Sequence, residues 1–455
     1  MNASRRSFPL HTKIFIGMVV GIIAGAVVQA LNLDKETVDQ ITRYVKPVGD
    51  IFLRMIFMMV IPLIISALTL GVAELGDLKK VGRVGLRTLV YTIIVSAISV
   101  LIGVTMVKVF QPGSGLSSQD KQALLERYAG TSATLQQNVQ NTKGIGEILT
   151  TLVPRNPLED MTRAFDPTYT GGGILAIMFF ALMLGIALTV ADQDKVVAFK
   201  QFLEGLYEIV MKIIGFGMKL APFGVASLLF VLTATLGFAI LTAVLKFVIV
   251  VIVALAIHQF ITYSLLLKFL GKMNPGYFFK NVTEVMLTAF STSSSNATLP
   301  TAIRVAIEKL KLPKDITHFV LTIGSTANQN GTALYEGIAV LFIAQCFGVE
   351  LDLPRQILVV ILAVLGGVGT AGVPSGSLPI IMLILISIGV PGEGIAIIYG
   401  VDRILDMCRT VLNVTGDLTA AVYVSRTESE LAENRLEDSP NFEIAQKSPY
   451  IQSVK

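Results

Sequence analysis

The chain has 455 residues, 53% hydrophobic and 15% charged, with no tryptophan and a formal net charge of +4. Globular proteins carry about 25% charged residues; here apolar runs of about 20 residues alternate with short polar ones. That pattern excludes a soluble enzyme with one large core, and the small, scattered positive charge excludes nucleic acid as a partner.

In chain order, Arg5, Arg6 and Lys13 flank an apolar run at 12–31. A twin-arginine export signal competes for this segment. The run is long enough to span and further spans follow, so a first membrane helix with its basic end inside is expected. Further spans are expected at 44–75, 83–110, 172–192, 199–232 and 238–271. The second, fifth and sixth exceed a straight crossing and should tilt or project. The basic loop from Glu74 to Arg87 should face the cytoplasm with the N-terminus. Residues 113–165 read as an external polar loop. Cys346 and Cys408 sit in apolar runs without metal or disulfide spacing. His11, His258 and His318 are scattered and lie near no nucleophile.

After Asn274-Pro275 the apolar runs are broken by small and polar residues. The interruptions are FSTSSSNATLP (Phe290 to Pro300), TANQNGTALY (Thr326 to Tyr335), GGVGTAGVPSGSLP (Gly366 to Pro379) and a charged helix around GVDRILDMCRTVLNVTGD (Gly400 to Asp417). SSSNATLP and GVPSGSLP form a weak repeat, each flanked by short apolar segments and followed by a helix with polar residues at mid-depth. Irregular backbone survives at membrane depth only where protein or ligand satisfies it. Two re-entrant hairpins with tips meeting near the bilayer centre are therefore expected.

The charged helix carries the argument. At about 100° per residue, Asp406, Arg409, Asn413 and Asp417 fall within about 60° of Asp402, and Thr410 within about 80°. The stripe lies on an otherwise apolar cylinder and must face a polar interior. Each charge at mid-bilayer costs roughly 2.5–3.5 kcal/mol, so Asp402, Asp406, Arg409 and Asp417 would cost on the order of 10 kcal/mol unpaired. Pairing of Arg409 with Asp402 or Asp406 offsets part of that and leaves an excess carboxylate, Asp417, wanting a cation. Arg409 offers a planar fork for a carboxylate. Asp406 offers a partner for an ammonium, and the two tips offer donors for a second carboxylate. An acidic amino acid satisfies all three. Asn328, Asn413 and Asp417 are hard oxygen ligands, and with no soft ligand set an alkali cation, sodium first, fits best.

STSSSNATLP, NQNGTALYEG, GTAGVPSGS and DRILDMCRTVLNVTGD together resemble the glutamate transporter family, the dicarboxylate/amino acid:cation symporters. The likeness runs from KPVGDIFLRMIFMMVIPLIISAL to TGDLTAA. It implies an all-α polytopic membrane protein of eight transmembrane helices and two re-entrant hairpins, working as an elevator in a homotrimer in the cell's inner membrane, both termini cytoplasmic. Residues 1–11 would be the N-terminus and 12–272 mainly scaffold helices 1–6, with helices 3 and 6 moving with the transport region. Residues 273–427 would be the transport core: hairpin 276–310, helix 315–347, hairpin 354–390 and helix 392–427. Residues 428–455 would be a disordered tail.

The resemblance also implies roles. Arg409 would bind the substrate's side-chain carboxylate and Asp406 its amine. Ser294, Ser295, Thr332, Val373, Thr410 and Asn413 would line the pocket. Asn328, Asn413 and Asp417 would bind one sodium, Thr326 and the backbone from Gly367 to Thr370 another, with Gly324 and Asn330 completing the sodium ligands. This sequence departs from the pattern where Gln329 and Asn330 replace a methionine and an aspartate. Thr92, Val95 and Ser96 stand where a tyrosine, a threonine and a serine are usual. A deeper sodium site loses charge and one oxygen there, which leaves sodium against proton coupling open. Asp417 suits sodium, while Arg403 is like proton-coupled bacterial members and would neutralise a neighbouring aspartate. No cofactor beyond co-transported ions is implied. A C4-dicarboxylate symporter and an ion channel are the alternatives. A hydrolase fails for want of a base near serines 293–295.

Overall fold

The computed structural model describes residues 10–77, 83–128, 153–164, 173–369 and 377–437, with Thr150. Every element among them is helical. The first is α1 (Leu10–Ala30), followed by α2 (Lys35–Phe57). The carboxylate of Asp34 caps α2, accepting from the Thr37 hydroxyl at 2.7 Å and its N–H at 3.0 Å. Those two bonds hold its carboxyl below the usual range. The same apolar run continues through α3 (Val60–Leu63), a π-turn (Ile64–Leu68) and α4 (Thr69–Asp77). Next come α5 (Arg83–Phe110), α6 (Ser118–Tyr128), α7 (Pro157–Thr162), α8 (Gly173–Val190) and α9 (Gln193–Leu236). Gly237, at φ 65°, ends α9. Then α10 (Phe238–Ile257), a π-turn (His258–Thr262) and α11 (Tyr263–Phe269) form one long span.

Among the described residues, five helical stretches are long and apolar enough to cross a membrane, the fourth being the 44-residue α9. Part of the expected Glu74–Arg87 loop is helix, since α4 runs to Asp77 and α5 starts at Arg83. The expected loop at 113–165 contains α6 and α7.

In the C-terminal third, α12 (Pro275–Thr292) and α13 (Ser295–Glu308) make the first hairpin. The expected single helix at 315–347 is two helices, α14 (Lys314–Ala327) and α15 (Asn330–Cys346). Asn328 and Gln329 leave the helical region between them, at φ −108°, ψ 65° and φ −98°, ψ 60°. α16 (Leu353–Gly369) and α17 (Ser377–Ser387) are the arms of the second hairpin; its tip, 370–376, lies outside the described residues. A 3-10 turn (Gly392–Ile395) leads into α18 (Ala396–Glu437).

That last helix corrects the expected tail, because α18 continues past 427 to Glu437. Glu428 gives the reason. Its carboxylate accepts from Arg83 at 3.0 and 2.8 Å and from Arg87 at 2.8 Å. A bidentate guanidinium pair ties this part of α18 to the first turns of α5.

Packing divides the molecule. α1 and α2 lie chiefly on α9, whereas α5 lies chiefly on α15, and α10 and α11 on α18. A ladder of small residues brings α1 onto α9. A Cβ at Gly17, Gly21 or Gly25 would come within 2.2, 2.3 and 2.7 Å of the carbonyl oxygens of Pro222, Ala226 and Phe230. Backbones meet this closely only where glycine recurs every fourth residue. Gly21→Leu has no side-chain neighbour that could yield, only backbone. It is expected to lower stability by about 1–3 kcal/mol or more, read as a fall in the thermal midpoint of the detergent-purified protein. An unchanged midpoint would mean that α1 is not held by this contact.

Candidate functional site

The polar stripe of α18 faces inward, as its spacing requires. Asp402, Asp406, Arg409, Thr410, Asn413 and Asp417 are all buried, Arg409 to 1% exposure. The guanidinium of Arg409 is shared between two carboxylates. Nη1 donates to Asp402 Oδ1 at 3.0 Å; Nη2 and Nε reach Asp406 Oδ1 at 2.8 and 2.9 Å. Its carbon centre lies 4.4 Å from the ring centroid of Tyr335, a cation–π contact from α15. A second arginine enters this cluster. Arg403 Nη1 donates to Asp406 Oδ2 at 3.2 Å, so its partner is the aspartate one turn on rather than adjacent Asp402. Thr410 Oγ1 donates back to the Asp406 carbonyl at 2.7 Å.

Asn413 joins α18 to the helix break. Its Oδ1 accepts from the N–H groups of Gly331 and Thr332 at 2.7 and 3.3 Å, and its Nδ2 donates to Gln329 Oε1 at 2.5 Å and Thr332 Oγ1 at 3.1 Å. A helix that starts inside the protein leaves orphan N–H groups, and Asn413 supplies the cap that the sequence of α15 lacks. The stripe residue nearest the break therefore pins the break to α18.

Asp417 lies beside the end of α14. It accepts from Asn328 Nδ2 at 2.9 Å. A Cβ at Gly324 would come within 2.5 Å of its Oδ1, so only glycine lets the carboxylate approach α14 this closely. Among the described residues no cationic side chain pairs with Asp417, and Asn328 Oδ1 has no hydrogen-bond partner although it is buried. Three aspartates and two arginines thus leave the stripe with one uncompensated negative charge, next to an unsatisfied amide oxygen. Thr326, whose Oγ1 donates to the Ile323 carbonyl at 3.0 Å, follows Gly324 in the last turn of α14.

Asn330 is held on a separate face. Its Oδ1 accepts from Ser96 at 2.6 Å, its Nδ2 donates to the Tyr263 hydroxyl at 3.1 Å, and its carbonyl accepts from Ser99 at 2.9 Å. Tyr263 donates in turn to the Leu412 carbonyl at 3.1 Å. The network is neutral, and buried Val95 adds no oxygen to it. Asn330, expected among the sodium ligands, thus forms part of a polar link among α5, α11, α15 and α18.

The first hairpin turns through Ser293, at φ 49°, and Ser294, whose Oγ accepts from the Ala297 N–H at 3.2 Å. The hydroxyls of Ser293 and Ser295 are buried and have no hydrogen-bond partner. α13 packs on α18, which brings the tip to the stripe's element. In the second hairpin, a Cβ at Gly367 would lie 3.2 Å from the Gln329 carbonyl, so α16 rests directly on the helix break. Val373 and Thr370 fall outside the described residues.

Two cavities lie among the described residues, one of about 10 Å³ between the π-turn at 64–68 and the arms of the second hairpin at Leu365, Gly366 and Ile380, the other of about 230 Å³ near Gln193 and Lys200. One buried acid has no counterpart among the expected site residues. Glu336, on α15, is fully buried and neither carboxylate oxygen has a partner. Its only signal in the sequence is a lone acid in the apolar run ALYEGIAVLF.

Residues 10–427 match the model of the sodium:dicarboxylate symporter family. The chain is 34% identical over 432 residues to the proton/sodium-glutamate symport protein of Geobacillus stearothermophilus, covering 94% of this chain and 97% of that one. It is 32% identical over 422 residues to the proton/glutamate-aspartate symporter of Escherichia coli (strain K12), with 92% and 93% covered. It is also 29% identical over 427 residues to the C4-dicarboxylate transport protein of Anaeromyxobacter sp. (strain K), with 94% and 91% covered.

Proposed function

The chain belongs to the sodium:dicarboxylate symporter family and is a transporter, not an enzyme; from that premise we propose that it imports glutamate or aspartate together with cations. The observation that carries the substrate is the pairing of Arg409 with Asp406 on one helix face. The guanidinium fork matches the side-chain carboxylate of an acidic amino acid. Asp406 matches its ammonium. Thr332, Thr410, Asn413, Val373 and the serines of the first tip, Ser294 and Ser295, complete the pocket. The N-terminus of α13 and the unsatisfied Ser295 hydroxyl suit a second carboxylate. For the substrate to enter, Arg409 exchanges one aspartate for the ligand.

The carried cation is sodium, held first at Asp417 with Asn328 and Gly324, where the uncompensated charge and the unsatisfied oxygen coincide. Thr326 and the stretch from Gly367 to Thr370 hold a second. Asn330, spent on Ser96 and Tyr263, supports no third sodium and so fits coupling by fewer sodium ions, with protons as the remaining partner. Eight membrane crossings, an inner-membrane location with both termini inside, and a homotrimer follow the family's plan. The division of packing supports an elevator, in which α5, α10 and α11 move with the hairpins and α18 against α1, α2 and α9.

The second reading is a C4-dicarboxylate carrier, favoured by the Anaeromyxobacter relative. Asp406 argues against it, because an acidic amino acid brings an ammonium that this carboxylate can bind and a dicarboxylate does not. Proteoliposomes in an inward sodium gradient at fixed pH are expected to take up labelled aspartate far faster than labelled succinate. Succinate uptake without aspartate uptake would overturn the amino-acid assignment.

A further inference from the structure

We propose that Arg403 is an internal stand-in for the substrate's ammonium group: it holds Asp406 while the site is empty and gives it up when an acidic amino acid binds. The inference rests on the reading that Asp406 receives that ammonium. Its basis is the asymmetry of the cluster. On α18, Asp406 lies about 60° from Arg409 on one side and about 60° from Arg403 on the other. Its Oδ1 belongs to Arg409, through two contacts of 2.8 and 2.9 Å; its Oδ2 is met by Arg403 through one contact of 3.2 Å.

The two arginines are anchored differently. Arg409 is also bonded to Asp402, lies over Tyr335, and has a side chain only 2% exposed. The Arg403 side chain is 17% exposed, and its Nε has no hydrogen-bond partner. An arginine kept only to neutralise a carboxylate gains most by presenting two parallel donors. Arg403 presents one, at the long end of the range, from a side chain that is 17% exposed. It is the contact that a competing cation displaces most readily, and an ammonium arriving at Oδ2 is such a cation.

The charge count gives this exchange a purpose. With Arg403 in place, Asp402, Asp406, Arg403 and Arg409 sum to zero. A carrier that must return without substrate then moves a balanced cluster. Without Arg403 the same return carries two buried carboxylates on one arginine, one negative charge in excess, which a low-dielectric surrounding opposes. Arg403 is therefore a positioning residue for the empty state and a competitor for the amine in the loaded one.

The test uses full-length protein in proteoliposomes, comparing wild type with Arg403→Met, Arg403→Gln and Arg403→Lys. In saturating sodium, Arg403→Met is expected to bind aspartate at least tenfold more tightly, because the competitor is gone, and succinate at least tenfold more weakly, because the second charge of Asp402 and Asp406 is then uncompensated. Net aspartate uptake should fall at least tenfold relative to aspartate–aspartate exchange, since only net uptake requires the empty return. Arg403→Lys should restore both ratios. If Arg403→Met does not reach the membrane, Arg403→Gln, with its neutral amide in place of the guanidinium, carries the same expectations. An unchanged aspartate-to-succinate ratio, or an equal fall in net uptake and exchange, overturns the proposal. Aspartate binding by the wild type separates the two readings. If the wild type binds aspartate in sodium and Arg403→Met behaves identically, only the stand-in role fails. If the wild type binds none, the substrate assignment fails and takes the stand-in with it.

Discussion

Arg409→Lys will assemble like the wild type and lose aspartate binding by at least about 30-fold, a difference of roughly 2 kcal/mol or more. Lysine keeps the positive charge between Asp402 and Asp406 but removes the planar fork. The alanine variant makes a harsher comparison. Removing Arg409 altogether takes a cation from both buried Asp402 and buried Asp406, of which Arg403 pairs with Asp406, and breaking a buried pair in this way costs about 3–5 kcal/mol. Part of any loss in Arg409→Ala is then the damaged cluster rather than the missing ligand contact. Arg409→Ala should abolish binding of acidic substrates while the protein still reaches the membrane. The lysine variant tells which part is recognition. Isothermal titration with aspartate in saturating sodium, with gel filtration to confirm assembly, decides the matter. Wild-type affinity in either variant would remove the carboxylate-binding role.

The stripe of α18 is legible in the sequence because a helix repeats about every 3.6 residues and lipid rejects charge. Asp402, Asp406, Arg409, Asn413 and Asp417 therefore have one direction in which to face. The interruptions are legible for a related reason. Backbone that leaves the helix inside a membrane needs partners, and the polar residues near Asn328 and at Ser293–Ser295 mark where it does so. Which partners they take is not legible. Asn413 reads as a ligand and caps α15 in the structure, because the sequence does not show that α15 begins inside the protein opposite α18. Arg403 reaches Asp406 rather than Asp402 because i and i+3 meet on a helix while i and i+1 do not; helical spacing alone carries that pairing. The end of α18 is hidden because composition after 427 is polar, and the arginines that fix Glu428 lie some 340 positions away on α5. The glycine ladder of α1 acts through the carbonyls of α9, a contact that no local pattern places. Glu336 is hidden by the opposite effect: one acid scarcely alters an apolar window.

Asp417→Asn separates a structural carboxylate from a cation ligand, because the two roles predict opposite signs of stability. Burying a carboxylate without a cationic partner is costly, and Asp417 has only the Asn328 amide among the described residues. In sodium-free buffer the asparagine variant should therefore be at least as stable as the wild type. In sodium the order should reverse. A cation that binds only the folded state stabilises it by RT ln(1 + [Na]/Kd), about 2.7 kcal/mol at one hundred times Kd. The wild type should gain that increment, and Asp417→Asn should lose most of it. Thermal midpoints measured in choline and then in rising sodium show the crossing directly. Aspartate affinity should depend less on sodium in the same variant than in the wild type, because the first cation no longer has a charge to cancel. The charge count also says that this ion cannot act alone. One cation cancels Asp417, while an acidic amino acid adds a further negative charge to a cluster that is already balanced, so a second cation must enter with it. A variant that is less stable than the wild type in choline, and that gains as much from sodium as the wild type does, would show that Asp417 serves the fold and that the cation is held elsewhere.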